Sequence, residues 1–299
     1  MAKIFYYGGQ AVIEGVMMRG QKNMVTAVRR PNGEIAMDRR LLPTIYTGKL
    51  RKTPLIRGVI VLIEAMVLGI KTLLYSANIS LEEEGEQISG GIVWLMVILS
   101  VSMSVLLFFM APLFLTKLLD PFISSSLVFH LIEGVIRLTL FVLYLKIMSL
   151  LPDIKRVFSY HGAEHKTVNA YEAGVPLEVE AIKKYSTAHV RCGTSFLFAI
   201  MIIAILVFAI IGRPESLLLM VLSRLILIPV ISALGYEVTH FSGRHTGNRL
   251  VRSILYPGLL LQKLTTGEPD DSQLEIAIAA LSEVIEIEQE PAETVQAEA

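Results

Sequence analysis

The residues with most chemistry to offer stand together in Tyr160-His161-Gly162-Ala163-Glu164-His165-Lys166. Two histidines four apart share one face of a helix, so both rings can reach a single ion, with Glu164 beside them. The spacing is H-x-x-E-H, the inverted counterpart of the zincin motif, in which the carboxylate activates a water on the metal. A second cluster, His189-Val190-Arg191-Cys192, follows in the same segment. His189 or Cys192 would supply a third ligand and leave one position open, as catalytic zinc requires. A soft thiolate with imidazoles favours zinc over magnesium. The candidate ligands are therefore His161, His165, His189 and Cys192, with Glu164 as candidate catalytic base. Plainer roles stay open: the histidines can bond lipid phosphates or backbone carbonyls, and Cys192 can be a small core residue. Gly162 also costs a helix about 1 kcal/mol relative to alanine. Glu237 is an optional further ligand or a partner for Arg244. Ser195 has no G-x-S-x-G elbow around it, so Thr194 and Ser195 are expected to cap a helix.

The elements that must position these residues are mostly apolar. Of 299 residues, 53% are hydrophobic and 18% charged, against about 25% charged in a soluble domain. The 30-residue uncharged run from Gln87 to Thr116 exceeds the roughly 20 residues needed to cross a bilayer. The expected fold is an α-helical multi-pass membrane protein with four transmembrane helices, near Ile92 to Thr116, Pro121 to Leu150, Thr194 to Gly212 and Glu215 to Gly235. Residues Pro54 to Asn78 are apolar but carry Arg57, Glu64 and Lys71 at intervals of seven. That pattern predicts an amphipathic helix lying in the membrane interface. Ahead of it, residues 1–53 read as a small β-rich unit, with a hairpin formed by Met24 to Val28 and Glu34 to Asp38 around Pro31-Asn32-Gly33. Gly8-Gly9-Gln10 and Gly15 punctuate an apolar run ending at Met18, read as one strand whose backbone comes close to another element. The expected segmentation is a β-rich unit at 1–53, the interfacial helix at 54–79, two spans at 80–151, a cytoplasmic loop with the His/Glu/Cys cluster at 152–193, two spans at 194–236, a cytoplasmic segment at 237–271, and an amphipathic helix with an acidic disordered tail at 272–299.

Charge sets the orientation. Basic and acidic residues number 27 each, but ten acids lie from Glu268 onward, leaving the first 267 residues at +10. Four spans leave only Lys117 and Arg213 outside, whereas a crossing at 54–78 would move ten basic residues there. Cytoplasmic N and C termini follow. Within the second span Glu133 and Arg137, four apart, form an intramembrane polar pair, which with Arg224 should face the bundle interior. His130 is expected to do no more than pack at the outer interface. No nucleic-acid motif is present.

Four runs resemble the YqhQ family: Gly8 to Arg19 (GGQAVIEGVMMR), Tyr160 to Lys166, Arg191-Cys192-Gly193-Thr194-Ser195-Phe196, and Pro257-Gly258-Leu259 with Leu264-Thr265-Thr266. This is a bacterial family of unknown function labelled a predicted metal-dependent enzyme. The resemblance runs from Gly8 to about Leu281 and departs at Val190, where the family carries proline. It implies site positions at His161, Glu164, His165, His189 and Cys192, with Gln10 and Glu14 as signature residues without assigned role, and a bacterial cytoplasmic membrane location. Two functions are expected from all of this. One is a zinc-dependent, hydrolytic membrane enzyme acting at the cytoplasmic interface. The alternative is a non-catalytic scaffold that binds a machine such as the ribosome or the protein translocation channel, through its basic cytoplasmic face or its C-terminal helix.

Overall fold

A computed structural model describes residues 5–82, 90–245 and 248–289. The chain opens as an antiparallel meander of β1 (Gly8–Val12), β2 (Gly15–Arg19), β3 (Asn23–Arg29) and β4 (Ile35–Leu41), in the order β1-β2-β3-β4. The hairpin expected at Asn32-Gly33 joins β3 to β4, and Gly33 takes φ +90°, the left-handed region glycine enters without cost. The single strand expected to end at Met18 is instead two, folded back at Ile13-Glu14 with Val12 facing Gly15. No Asn-Gly or Asp-Gly marks this turn; Glu14 itself takes φ +52°.

Helices follow: α1 (Thr44–Thr47), α2 (Ile56–Ser80), α3 (Gly90–Val105), a π turn at Leu106–Met110, and α4 (Ala111–Lys117). Then come α5 (Ser126–Met148), α6 (Pro152–Glu172), α7 (Val179–Ile182) and α8 (Gly193–Ile211). Last are α9 (Leu217–Ile226), α10 (Ile228–Arg244), α11 (Arg249–Gln262) and α12 (Asp271–Gln289). Among the described residues four helices are long and apolar enough to cross a membrane: Ile56–Ser80, Gly91–Lys117, Ser126–Met148 and Gly193–Ile211. The pair α9 and α10, bent by 43°, makes a fifth candidate. The fourth expected span is thus broken rather than continuous, the second helix starting with Pro229 in its first turn.

The sheet is covered on both faces, which is why β2 is buried at four successive positions rather than alternately. One face, with Val16, Met18, Val25 and Ala27, packs on Tyr160 and Ala163 of α6 and on Leu274, Ala277, Leu281 and Val284 of α12. The other, with Met17 and Met24, packs on Ile60 and Leu68 of α2. Segments expected as separate units, the β-rich N terminus, the loop at 152–193 and the C-terminal helix, therefore share one core. The apolar face of α12, expected to dock a partner, is spent inside the protein: Leu274 is 1% exposed and Ile276, Leu281 and Val284 fully buried. The tail expected to be disordered, 291–299, lies outside the described residues.

In the apolar bundle α8 packs on α5, α10 and α11. Glu133 does more than pair with Arg137. Its Oε1 accepts from Arg137 Nη2 (2.6 Å) and Arg224 Nε (3.2 Å), and its Oε2 accepts from Arg224 Nη2 (2.5 Å). His130 joins the cluster through Nδ1, 3.3 Å from Oε2, so it is not an interfacial packing residue. Arg137 Nε also donates to the Phe108 carbonyl (3.0 Å), inside the π turn where the helical hydrogen-bond ladder is disturbed.

Candidate metal centre

The loop expected to carry the histidines is the 21-residue helix α6, opened by Pro152 at its first position. Gly162 does not break it. Residues 265–267 cross the helix at this point, with Gly267 N donating to Phe158 O at 2.7 Å, and a Cβ on Gly162 would run into the Gly267 carbonyl oxygen. The helical penalty of this glycine is offset by the close crossing it permits.

That crossing fixes the first histidine. His161 Nδ1 lies 2.8 Å from the Thr265 carbonyl oxygen, and His165 Nδ1 lies 2.6 Å from the Thr187 carbonyl oxygen. A carbonyl only accepts, so each Nδ1 carries a proton and donates it, and in the neutral tautomer so fixed Nε2 is the nitrogen with a lone pair. The two rings stand 4.3 Å apart, centroid to centroid, with Cys192 Sγ 3.4 Å from His161 Nε2. One donor atom from each of His161, His165 and Cys192 lies within 4.8 Å of the other two. Cys192 precedes α8 as its cap, its sulfur accepting from Thr194 N at 3.4 Å. Capping therefore falls to Cys192 rather than to Thr194 and Ser195. Thr194 instead pairs with Thr265 through hydroxyls 3.1 Å apart, and Ser195 Oγ accepts from Gln262 Nε2 at 2.8 Å.

Glu164 is held by the sheet. Its Oε1 accepts the backbone N–H of Gly9 at 2.9 Å, while Oε2 lies 3.5 Å from His165 Nε2. A side chain on Gly9 could not be accommodated, since its Cβ would fall 2.8 Å from Glu164 Cγ. This is the close approach that the paired glycines of the first strand foreshadow. The carboxylate and, in the neutral ring, the proton-free imidazole nitrogen are both acceptors, so two electron-rich atoms face each other here.

His189 is not among the three converging donors. Its ring stands 5.7 Å from that of His165, its Nε2 is buried without a hydrogen-bond partner, and the nearest carboxylate oxygen paired with it is Glu172 Oε2 at 3.7 Å. Burial pushes its pKa down, with Glu164 opposing, so the ring is neutral near pH 7. Gln262 anchors its backbone from both sides, accepting from His189 N (2.9 Å) and donating to His189 O (2.8 Å). Glu237 is far from the centre in its bonding: it accepts from Arg57 Nε (2.8 Å) and Leu55 N (2.9 Å), so its partner is neither a metal nor Arg244. Gln10 packs its amide against Gly69 of α2, and Glu14 binds Arg156 Nη2 (2.6 Å) and the Tyr160 hydroxyl (3.2 Å). Burial, then Glu14, drives the Tyr160 pKa up, which keeps the hydroxyl protonated and donating. These signature residues fasten the sheet to α2 and α6, and only their neighbour Gly9 reaches the cluster.

Residues 53–287 match the model of a family described as protein of unknown function (DUF1385). A Bacillus subtilis (strain 168) protein, "Uncharacterized protein YqhQ", is 38% identical over 298 residues, covering 94% of this chain and 93% of its own length. No solved structure matches the chain.

Proposed function

The chain belongs to the YqhQ (DUF1385) family of proteins of unknown function, and we propose that it is a zinc-dependent membrane enzyme of hydrolytic type working at the cytoplasmic face. The observation that carries this is the convergence of two Nε2 lone pairs and one thiol, with both Nδ1 atoms locked by carbonyls. Metal-ligating histidines are oriented in this way by a second hydrogen bond on the far nitrogen. The residues present fit the ion: His161, His165 and Cys192 would hold it, three donors rather than the four of a closed structural site. When bound, zinc supplies a Lewis acid that acidifies water and polarises a carbonyl oxygen. Glu164 takes the proton from the attacking water with Oε2, because Gly9 holds Oε1 in place.

Metal content of protein purified without a histidine tag, read by mass spectrometry, tests this. Near-stoichiometric zinc is expected in the wild type and in Glu164→Gln. It should be lost in His161→Ala, His165→Ala and Cys192→Ser. Glu164→Gln should then lower any hydrolytic turnover by about 10²–10⁴-fold, the usual scale for a general base. Folded wild type that takes up no metal from added zinc sinks the proposal.

One observation favours the non-catalytic alternative. His165 and Cys192 are at most 5% exposed, and the cluster gathers α6, the start of α8, Thr187 and Thr265. Zinc there would clamp these segments together. In that case Glu164→Gln leaves the cellular role of the protein intact while Cys192→Ser lowers its thermal stability.

Membrane parity supports four crossings. The sheet, α6 and α12 share one core and must lie on one side, so an even number of helices crosses between each pair of them. Between β4 and α6 the candidates are α2, the α3–α4 rod and α5. Of these α2 is the one laid along the sheet, with Glu64 bound to Arg19 (3.0 Å) and Arg51, and Ser76 bound to Ile13 N (3.2 Å). Its place is the interface, with both termini on the cytoplasmic side.

A further inference from the structure

We infer that the segment leading into α2 is a binding site for the anionic headgroups of the membrane surface. Residues 39–63 contain six basic residues and no acid. Four of the six are already paired with acids of this chain, Arg39 with Glu283, Arg40 with Asp38, Arg51 with Glu64 and Arg57 with Glu237. Lys49 and Lys52, with Lys22 on the adjoining β2–β3 turn, are exposed, and among the described residues none has an acidic partner. Lys22 and Lys52 line a cavity of about 570 Å³ with the hydroxyl-bearing Thr44 and Thr47. Glu288 of α12 meets the β2–β3 turn. Its carboxylate accepts from the backbone N–H groups of Lys22 (2.8 Å) and Asn23 (3.4 Å) and, among the described residues, makes no ion pair with the lysine ammonium groups.

The same segment is unusually greasy on its outside. Leu41 is 71% exposed, and Ile45, Leu50, Leu55 and Ile56 are each about half exposed. Leu55 holds this position at φ +65°, a left-handed conformation that costs a bulky residue of order 1–3 kcal/mol and would suit glycine. Exposed leucines interleaved with unpaired lysines match the boundary between acyl chains and phosphate headgroups. A free phosphate would explain the lysines and the hydroxyls but not the apolar fringe. The site lies immediately before a helix apolar enough to cross a membrane, and it is independent of the metal centre.

The test uses the full chain in a mild non-ionic detergent, titrated with fluorescently labelled phosphatidylglycerol or phosphatidylcholine. Phosphatidylglycerol should bind more tightly. Each lysine near such a surface contributes a factor of about 5, so Lys22→Gln/Lys49→Gln/Lys52→Gln should weaken binding on the order of 100-fold. The matching triple arginine variant should restore it, and added salt should weaken the wild type. Equal affinity for the two lipids, or an unchanged glutamine variant, overturns the inference. Displacement of the lipid by millimolar inorganic phosphate assigns the lysines to a free anion and overturns it too. If the glutamine variant does not fold, the wild type decides alone, through lipid preference and its salt dependence.

Discussion

At the scale of single residues, the centre rests on two atoms that carry no side-chain identity, the carbonyl oxygens of Thr265 and Thr187. The gathering of His161, Glu164 and His165 was legible in the sequence, because spacing on a helix places them together. Carbonyls leave no such mark, so the third converging donor was not legible: in the sequence His189 is as eligible as Cys192, and in the fold it is Cys192 that joins the two histidines, while Gln262 holds the His189 backbone. Gly162 left a mark that points the wrong way, reading as a helix defect when it is a crossing point. Replacing it decides between these readings. On helix propensity alone Gly162→Ala would stabilise by about 1 kcal/mol. Collision with the Gly267 carbonyl should reverse the sign and cost about 1–3 kcal/mol, while displacing Thr265 from His161 and lowering zinc content. Thermal unfolding and metal analysis of that variant check both effects, and a rise in melting temperature with metal retained would refute the crossing.

At the scale of elements, α12 is the piece whose role differs most from its sequence pattern. Leu274, Ile278, Leu281 and Ile285 form an apolar stripe, and a stripe cannot say which surface it will meet. Here it meets β2, β3 and α6. Leu281→Ala, at a fully buried position, should therefore cost about 2–5 kcal/mol, as a large-to-small change in a core does. Unfolding monitored in detergent measures it, and an unchanged midpoint would return the helix to the list of free docking faces. The long helices were legible from hydropathy, and the β3–β4 hairpin from Asn32-Gly33. The β1–β2 turn was not, because Glu14 accepts a positive φ with no glycine at that position. Nor was the full Glu133 cluster, since Arg224 comes from a different helix 91 residues away.

At the scale of the whole molecule, one shared core requires the sheet, α6 and α12 to lie on one side of any membrane the chain crosses, which makes the proposed arrangement testable. Cysteines placed singly at Gly33 and Gln289, in a chain whose buried Cys192 does not react, should both meet a membrane-impermeant maleimide only after cells are opened. A cysteine at Leu118, between α4 and α5, should react in intact cells. Labelling of Gly33 and Gln289 from opposite sides would mean that α2 crosses after all, and would be incompatible with the sheet packing on α12. The discontinuity of that core also has a cost in time. About 230 residues separate β4 from α12, which at usual synthesis speeds of about 5–20 residues per second is roughly 10–50 s. Throughout that interval Val16, Met18, Val25 and Ala27 have no α12 against them. The newborn chain is therefore most prone to aggregation until its last helix is made, and a stalled or truncated copy never leaves that state.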